Sequence, residues 1–266
     1  MGLTLLLNPP YNGNLHLKIL EEALNHSDNI VNLSPVRWLQ DPLAKYKKGS
    51  DFLKFADLHK HIESLEMISG KEAQRLFQSK QYENLGLYKL SSKKVDNLVS
   101  LVDLDTLFFI EKVSLPVYNK KYESIYKYRT PEGKANFSTP FVRLTAMHGN
   151  LGSNDYVEIT SKNKKLCMTK PEKLSNVEAT INFKTQAEAE NFYDSLQTSF
   201  MKFANKCIKT NMRVPYYGLP FMGNVVNPRT GLKGYEGEWT DEDFYKFFNL
   251  TEDEIKIIKN TMKEYK

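Results

Sequence analysis

The first ninety residues alternate short apolar runs with segments of helical periodicity. The apolar runs predict four strands, at residues 3–7, 30–33, 62–68 and 85–90. Between the first two, Leu15, Ile19 and Leu20 recur at helical spacing and predict a helix of about three turns, with Asn14 as its N-cap. This alternation is typical of a mainly parallel sheet with helices on its faces, and it predicts an α/β domain over residues 1–92.

The pattern changes after residue 92. Polar segments with short β-like stretches at 141–145 and 156–160, and a turn at Gly149-Asn150, predict a second, α+β region over residues 93–266. Thr185 and Glu188 have the spacing of a capping box that opens one helix, and Thr240 and Thr251 start two more. Four apolar residues of the first helix form a stripe that we expect in the core: Phe192, Leu196, Phe200 and Phe203.

Composition indicates an ordinary globular protein. Hydrophobic residues make up 41% and charged residues 26% of the 266 positions. No apolar stretch approaches the length of a membrane span, and the amino terminus lacks the pattern of a secretory leader, so we expect a cytoplasmic protein without membrane contact. Cys167 and Cys207 are far apart, which predicts inert thiols and neither a disulfide nor a zinc site.

Charge is compatible with a polyanionic partner. The net charge is +5 and the pI is about 8.9. Lysine and arginine cluster at 45–48, 120–129 and 162–165, and the first two clusters are interleaved with tyrosines that can stack on bases. Charge runs are usually solvated surface, so the clusters alone decide little. The candidate DNA contacts in the first two clusters are Lys45, Lys47, Lys48, Lys120, Lys121, Lys127 and Arg129.

The strongest chemical signal is the NPPY turn (Asn8, Pro9, Pro10 and Tyr11), which directly follows the first predicted strand. The Asn8 side-chain oxygen and the Pro9 backbone carbonyl are two acceptors for the two hydrogens of an amino group. The two prolines fix the backbone and remove donors, and Tyr11 can stack on a ring. The carboxyl end of a parallel strand is also where open α/β sheets bind ligands. The turn therefore predicts a site that holds a planar, amino-bearing base.

This turn resembles the catalytic motif of the amino-group DNA methyltransferases. The chain resembles the DNA adenine-N6 methyltransferases of restriction-modification systems, in their bacterial and phage versions. The resemblance continues through residues 12–20 and 32–39, and through later segments at 198–203, 218–222 and 239–245. It implies a site-specific enzyme that methylates a flipped adenine in double-stranded DNA, with S-adenosylmethionine as the cofactor.

The resemblance also implies residue roles and a fold. Asn8, Pro9, Pro10 and Tyr11 are expected to hold the adenine. Tyr88 is the nearest aromatic to the family's second stacking position. Arg37 and Trp38 lie on a long polar loop that we expect at the functional edge. The implied architecture is the catalytic half of a Rossmann-like methyltransferase sheet, followed by a DNA-recognition region.

The cofactor half of that architecture is not recognisable. No glycine-rich turn follows an apolar strand, and Gly231, Gly234 and Gly237 lie in a polar loop that reads as a flexible turn. Three interpretations remain open: half of a split enzyme whose protein partner supplies the cofactor half, a truncated remnant that binds DNA without methylating it, or a re-purposed binding module. A partial sheet would expose its first strand as an edge, which favours a partner.

A metal-dependent hydrolase or nuclease is the alternative outside this family. His59 and His61 are its only candidate ligands, and they lie two residues apart in a helical-looking segment, where their rings would point to different faces. No carboxylate cluster accompanies them, so the sequence predicts no metal site.

Overall fold

A computed structural model describes residues 3–78, 83–95, 101, 106–131, 134, 136, 138–145, 159–160, 177–208 and 216–263. The protein is of mixed α/β type, and the chain forms two compact units. Unit 1 comprises Met1–Leu104 with Thr210–Met212, and unit 2 comprises Asp105–Lys209 with Arg213–Lys266. The first unit thus extends to Leu104, where the sequence predicted a boundary after residue 92.

The described residues of unit 1 form four strands and four short helices. In chain order they are β1 (Thr4–Leu7), α1 (Leu15–Ala23), β2 (Asn29–Pro35), α2 (Arg37–Gln40), α3 (Asp51–Lys54), β3 (Ile62–Ile68), α4 (Gly70–Phe77) and β4 (Leu85–Leu90). Single 3-10 turns occupy Ala44–Tyr46 and Leu58–His61. All four predicted strands are present, and the bounds of β3 and β4 are those predicted.

The four-stranded sheet of unit 1 has the order β1-β2-β4-β3. β1 and β2 are parallel, but β4 runs antiparallel to both β2 and β3. The prediction of a mainly parallel sheet is therefore wrong. β3 and β4 are adjacent antiparallel strands, which a short connection such as α4 can join without a full crossover.

One face of this sheet carries the core of unit 1. Leu5 and Leu7 of β1 pack against a buried cluster that includes Ile30 and Tyr88 of the sheet and two leucines of α1. Leu17 and Leu20 of that helix have no exposed surface, and burial of each contributes about 1.5–3 kcal/mol. Strand alternation turns Leu6 to the opposite face, where 78% of its surface is exposed.

Unit 2 combines helices with a second four-stranded sheet of the order β5-β8-β6-β7, in which every pair is antiparallel. Its described elements are α5 (Leu107–Phe109), a π-helical turn (Ile110–Ser114), α6 (Leu115–Tyr118), α7 (Ile125–Tyr128), β5 (Thr130–Pro131), β6 (Phe141–Thr145), β7 (Ile159–Thr160), β8 (Val177–Asn182), α8 (Gln186–Gln197), α9 (Ser199–Ile208), α10 (Asp241–Phe247) and α11 (Glu252–Lys263). Single 3-10 turns lie at Tyr216–Gly218 and Gly234–Glu236.

The aromatic stripe of unit 2 is core, as predicted, but it spans two helices instead of one. The chain breaks at Thr198, whose backbone is extended, and the Thr198 hydroxyl bonds the Ser195 carbonyl at 2.7 Å. Asp241 then accepts the amide hydrogens of Ser199 and Phe200, and so caps a new helix. The four residues Phe192, Leu196, Phe200 and Phe203 are all buried.

The predicted capping box at Thr185 is formed with Glu188, and the helix predicted to start at Thr240 also has a capping box, with Asp243. At α1 the cap differs from the prediction: Asn14 precedes the helix, but its side chain donates to Asp51 instead of to the helix backbone. The predicted Gly149-Asn150 turn, residues 156–158 of a predicted strand, the basic cluster at 162–165 and Cys167 lie outside the described residues.

Candidate functional site

The NPPY turn directly follows β1 in unit 1. The Pro9 ring is buried, whereas Asn8 and Pro10 are exposed at the end of the sheet. The Tyr11 hydroxyl donates to the Asn8 side-chain oxygen at 2.7 Å and lies 3.1 Å from the backbone carbonyl of Leu33 on β2. Because the prolines fix the backbone of the turn, these contacts hold Asn8 and Tyr11 in a defined arrangement.

A cleft of about 330 Å³ opens at this turn. Its lining consists of the NPPY turn, Leu33 of β2, Phe77 at the end of α4 and Leu85 at the start of β4. The volume lies at the lower end of the roughly 300–1,000 Å³ typical of small-molecule sites. The walls are mostly apolar, and the polar groups come from Asn8, Tyr11 and the backbone, which suits one flat ring with a polar edge.

The ionisable side chains beside the cleft are neutral near pH 7. Burial raises the pKa of the Tyr11 hydroxyl above its ordinary value. Burial lowers the pKa of His16, against an opposing effect of the Asp51 carboxylate. The His16 ring meets the edge of the Tyr11 ring at a centroid distance of 6.4 Å. The lining itself contains no carboxylate, histidine or lysine, so the cleft can bind and orient a ligand but supplies no strong base.

The structure does not bring the other predicted substrate contacts to the cleft. Tyr88 is 1% exposed, and its hydroxyl donates to the Pro35 carbonyl and accepts from the Trp38 indole, each at 3.1 Å. Trp38 is also buried, between Tyr88 and His59. Arg37 is exposed and lies 3.7 Å from Glu83. Tyr88 and Trp38 are core residues here, because strand alternation turns Tyr88 towards the helices.

Phe77 is an aromatic residue of the cleft that the sequence analysis did not single out. Its ring is 48% exposed, and Leu76 beside it is 51% exposed, at the end of a helix whose buried side chain is Ala73. Two adjacent large apolar residues outside the buried stripe of a short helix often border a binding surface. This pair could therefore have indicated the cleft from the sequence.

The first basic cluster lies in unit 1 and is partly neutralised. Lys47 forms an ion pair with Asp41 at 2.6 Å. Lys45 is exposed and lies 4.8 Å from the centre of the Tyr46 ring, and Lys48 is exposed. Two of the three predicted DNA contacts in this cluster therefore present their ammonium groups towards solvent.

The second basic cluster lies in unit 2. Lys120 and Lys121 are exposed, whereas Lys127 pairs with Glu123 at 2.5 Å. The Arg129 guanidinium lies 3.7 Å from the centre of the Tyr126 ring, a cation–π contact. The cluster keeps a net positive charge and combines it with an exposed aromatic ring, as a phosphate- or base-contacting surface would.

The lining of the cleft does not fit the methyl-donor side of the expected active site. The cleft lining includes neither a glycine nor an acidic residue, so it does not fit the ribose and sulfonium of S-adenosylmethionine. The loop with Gly231, Gly234 and Gly237 lies in unit 2, and a Cβ at Gly234 would lie 2.3 Å from the Gly223 carbonyl oxygen. The glycine there permits close backbone approach.

The metal-site alternative also finds no support among the described residues, where no three histidine, cysteine or acidic side chains are grouped to hold an ion. His59 packs between Trp38 and Phe52, and His61 bonds the Ser91 carbonyl at 2.8 Å. Both histidines belong to the core of unit 1.

Comparisons with known proteins identify no relative. No family model, no curated protein and no solved structure matches the chain. Within the part of the chain that the structure describes, no helix combines the length and apolarity that crossing a membrane requires.

Proposed function

We propose that unit 1 is the adenine-holding part of a DNA adenine-N6 methyltransferase. The observation that supports this most is the position of the NPPY turn: it follows a parallel strand and lines a small cleft that also has an aromatic wall, Phe77. An amino-bearing base is a ligand for which the acceptors of Asn8 and Pro9 and the rings of Tyr11 and Phe77 are suited.

The proposed role of these residues is to bind and orient. Asn8 and the Pro9 carbonyl accept the two amino hydrogens, which draws the nitrogen lone pair out of conjugation with the ring. The Tyr11 and Phe77 rings stack on the base, and base–aromatic stacking contributes about 1–3 kcal/mol per base. Extruding the base from a duplex costs a few kcal/mol, which these contacts can offset. The lining contains no strong base. Methylation of an amino group by an activated donor does not require one, so positioning of the base suffices.

The proposal assigns the methyl donor to a different polypeptide or segment, since the described lining does not fit S-adenosylmethionine. The two edges of the unit 1 sheet indicate where such a part would attach. The β3 edge carries exposed Glu63 and Glu66 and a register shift between Ile62 and Ser64. Charges and bulges of this kind protect an edge from pairing with another chain.

The β1 edge has none of these protections. The run Leu3–Leu7 holds no charge and no proline, and Leu3 and Leu6 are largely exposed. No described residue pairs with the outer side of β1. A parallel strand added there would end beside Asn8, which is where a donor must lie to reach the base. The proposed donor-binding partner therefore pairs with β1.

A second candidate function is DNA binding without methylation. The observations that favour it are the poor fit of the cleft lining to S-adenosylmethionine, the exposure of Lys120 and Lys121, and the cation–π contact of Arg129 with Tyr126. Binding through such lysines would weaken steeply as the salt concentration is raised. It would depend little on the identity of any single base in the DNA.

The test of base holding compares two DNA duplexes that differ in one unpaired base, adenine or hypoxanthine, whose amino group is replaced by oxygen. The wild-type protein is expected to prefer adenine in an anisotropy titration. Asn8→Ala should reduce that preference by about 2- to 12-fold, the range for one hydrogen bond. Asn12→Ala is the matched control, because it removes the same side chain four residues away and outside the cleft. Equal wild-type affinity for the two duplexes would rule out the adenine cleft.

Calorimetric titration with S-adenosylmethionine tests whether the donor binds to this chain or to a different polypeptide. The proposal predicts no measurable binding to the chain alone. Binding would show that a donor site exists within this chain, and labelled methyl transfer to duplex DNA would then test activity directly, with Asn8→Ala expected to abolish it.

A further inference from the structure

The acceptor that the proposed function assigns to the substrate already receives a hydrogen bond from the turn itself. The Tyr11 hydroxyl lies 2.7 Å from the Asn8 side-chain oxygen, which is a normal length for a bond from a hydroxyl to a carbonyl oxygen. This oxygen lines the cleft. A donor from the chain itself therefore satisfies one lone pair of the oxygen that an incoming amino group would need.

The Tyr11 hydroxyl has a second acceptor within reach. The Leu33 carbonyl on β2 lies 3.1 Å away, but a phenol carries a single hydrogen. Contact with both oxygens means that the hydrogen can move from Asn8 to Leu33 without leaving the hydroxyl unpaired. Release of Asn8 consequently costs less than the loss of a whole hydrogen bond.

The Tyr11 ring is also positioned for such a change. It is 38% exposed, and the buried His16 ring contacts its edge at 6.4 Å between centroids. The hydroxyl is uncharged near pH 7, since burial raises its pKa, so it remains a donor under ordinary conditions. Because the ring is half-exposed, a small rotation is enough to move its hydroxyl from the Asn8 oxygen to the Leu33 carbonyl.

We propose that the Tyr11 hydroxyl is an internal stand-in for the amino group of the base. In the free protein it occupies and orients the Asn8 oxygen. When the base enters, its amino group takes that oxygen and the hydroxyl passes to the Leu33 carbonyl. This inference rests on the proposed adenine-holding function and adds a closed resting state to it, in which substrate binding competes with an internal donor.

Tyr11→Phe tests the competition, because it removes the hydroxyl and keeps the ring for stacking. The expected result is tighter binding of the duplex with an unpaired adenine, by up to about 12-fold, since the substrate no longer displaces the internal bond and a whole bond would be worth about 0.5–1.5 kcal/mol. The preference for adenine over hypoxanthine should persist, because Asn8 is still present. Unchanged or weaker adenine binding by Tyr11→Phe would overturn the proposal.

A spectroscopic measurement follows the same bond directly. With Tyr11 labelled at its ζ carbon, the carbon resonance should move when the adenine duplex is added to the wild-type protein, and it should differ between free wild type and free Asn8→Ala. Tyr126, exposed and in unit 2, serves as a labelled control. A Tyr11 resonance that does not respond to Asn8→Ala would contradict the resting contact.

The outcomes separate this inference from the proposed function. If the wild type does not distinguish adenine from hypoxanthine, the adenine cleft itself is refuted. If the wild type prefers adenine but Tyr11→Phe gains no affinity, the cleft stands and only the stand-in role of the hydroxyl fails.

Discussion

Phe77→Ala is expected to weaken base binding without unfolding unit 1. The ring forms one wall of the cleft and is 48% exposed, so its removal leaves no sealed void. A base stacked on an aromatic ring gains about 1–3 kcal/mol, which corresponds to an affinity loss of about 5- to 150-fold on truncation. A fully buried phenylalanine costs roughly 3–5 kcal/mol of stability when cut to alanine, and the half-exposed Phe77 should cost less than about half of that.

Two measurements on the same variant check this reasoning: anisotropy with the duplex that carries an unpaired adenine, and urea unfolding. Leu76→Ala is the matched control, because Leu76 is the preceding residue of α4, is 51% exposed and does not line the cleft. It should lose a similar small amount of stability and keep full affinity. If both variants lost affinity equally, or if Phe77→Ala lost none, Phe77 would not be a wall of the base site.

Three further predictions concern the residues that support the two units. Tyr88→Phe leaves the Trp38 indole and the Pro35 carbonyl without their buried partner, so urea unfolding should show a loss of about 1–3 kcal/mol while adenine binding is unaffected; reduced binding at full stability would instead restore Tyr88 as a base contact. Thr185→Ala removes a capping box and should lower stability by about 0.5–2 kcal/mol in thermal unfolding, and no loss would mean that the cap is replaced by water. Burial raises the pKa of Glu254, but bonds from Lys112 and Thr251 outweigh this effect and lower it overall. The stabilisation from Glu254 is therefore full above its ordinary, unfolded pKa and is lost as the pH falls through the lower folded pKa, so wild type and Glu254→Gln should differ at pH 7 and converge in acid; a difference that persists in acid would contradict the ion pair.

Features that depend on neighbouring residues were predictable from the sequence. The strands Ile62–Ile68 and Leu85–Leu90 follow from local runs rich in apolar residues, and the capping boxes follow from a three-residue spacing. The NPPY turn was also predictable from local sequence, since four consecutive residues carry its chemistry. In each case the interactions that fix the structure are formed within a few residues of chain.

Features that depend on distant packing were not predictable in the same way. The position of β4 between β2 and β3, which makes the sheet mixed, is set by pairings between segments up to sixty residues apart and has no local signature. Phe77 reaches the cleft only because α4 packs where it does. Tyr88 is a different case: Gly86, Tyr88 and Leu90 alternate with exposed Leu87 and Lys89, so period-two alternation could have assigned it to the core.

The NPPY turn illustrates why a short motif can form its geometry without its ligand. Asn8 accepts from Tyr11 three residues away, and the prolines between them fix the path, so the main polar contacts of the turn close within the turn and onto β2. Nothing in this arrangement depends on a methyl donor. If unit 1 holds adenine as proposed, base recognition is a property of this turn and its cleft, and it should survive in a chain that transfers no methyl group. Base binding and methyl transfer are then separable steps. The methyl donor would be supplied at the β1 edge and not in the cleft.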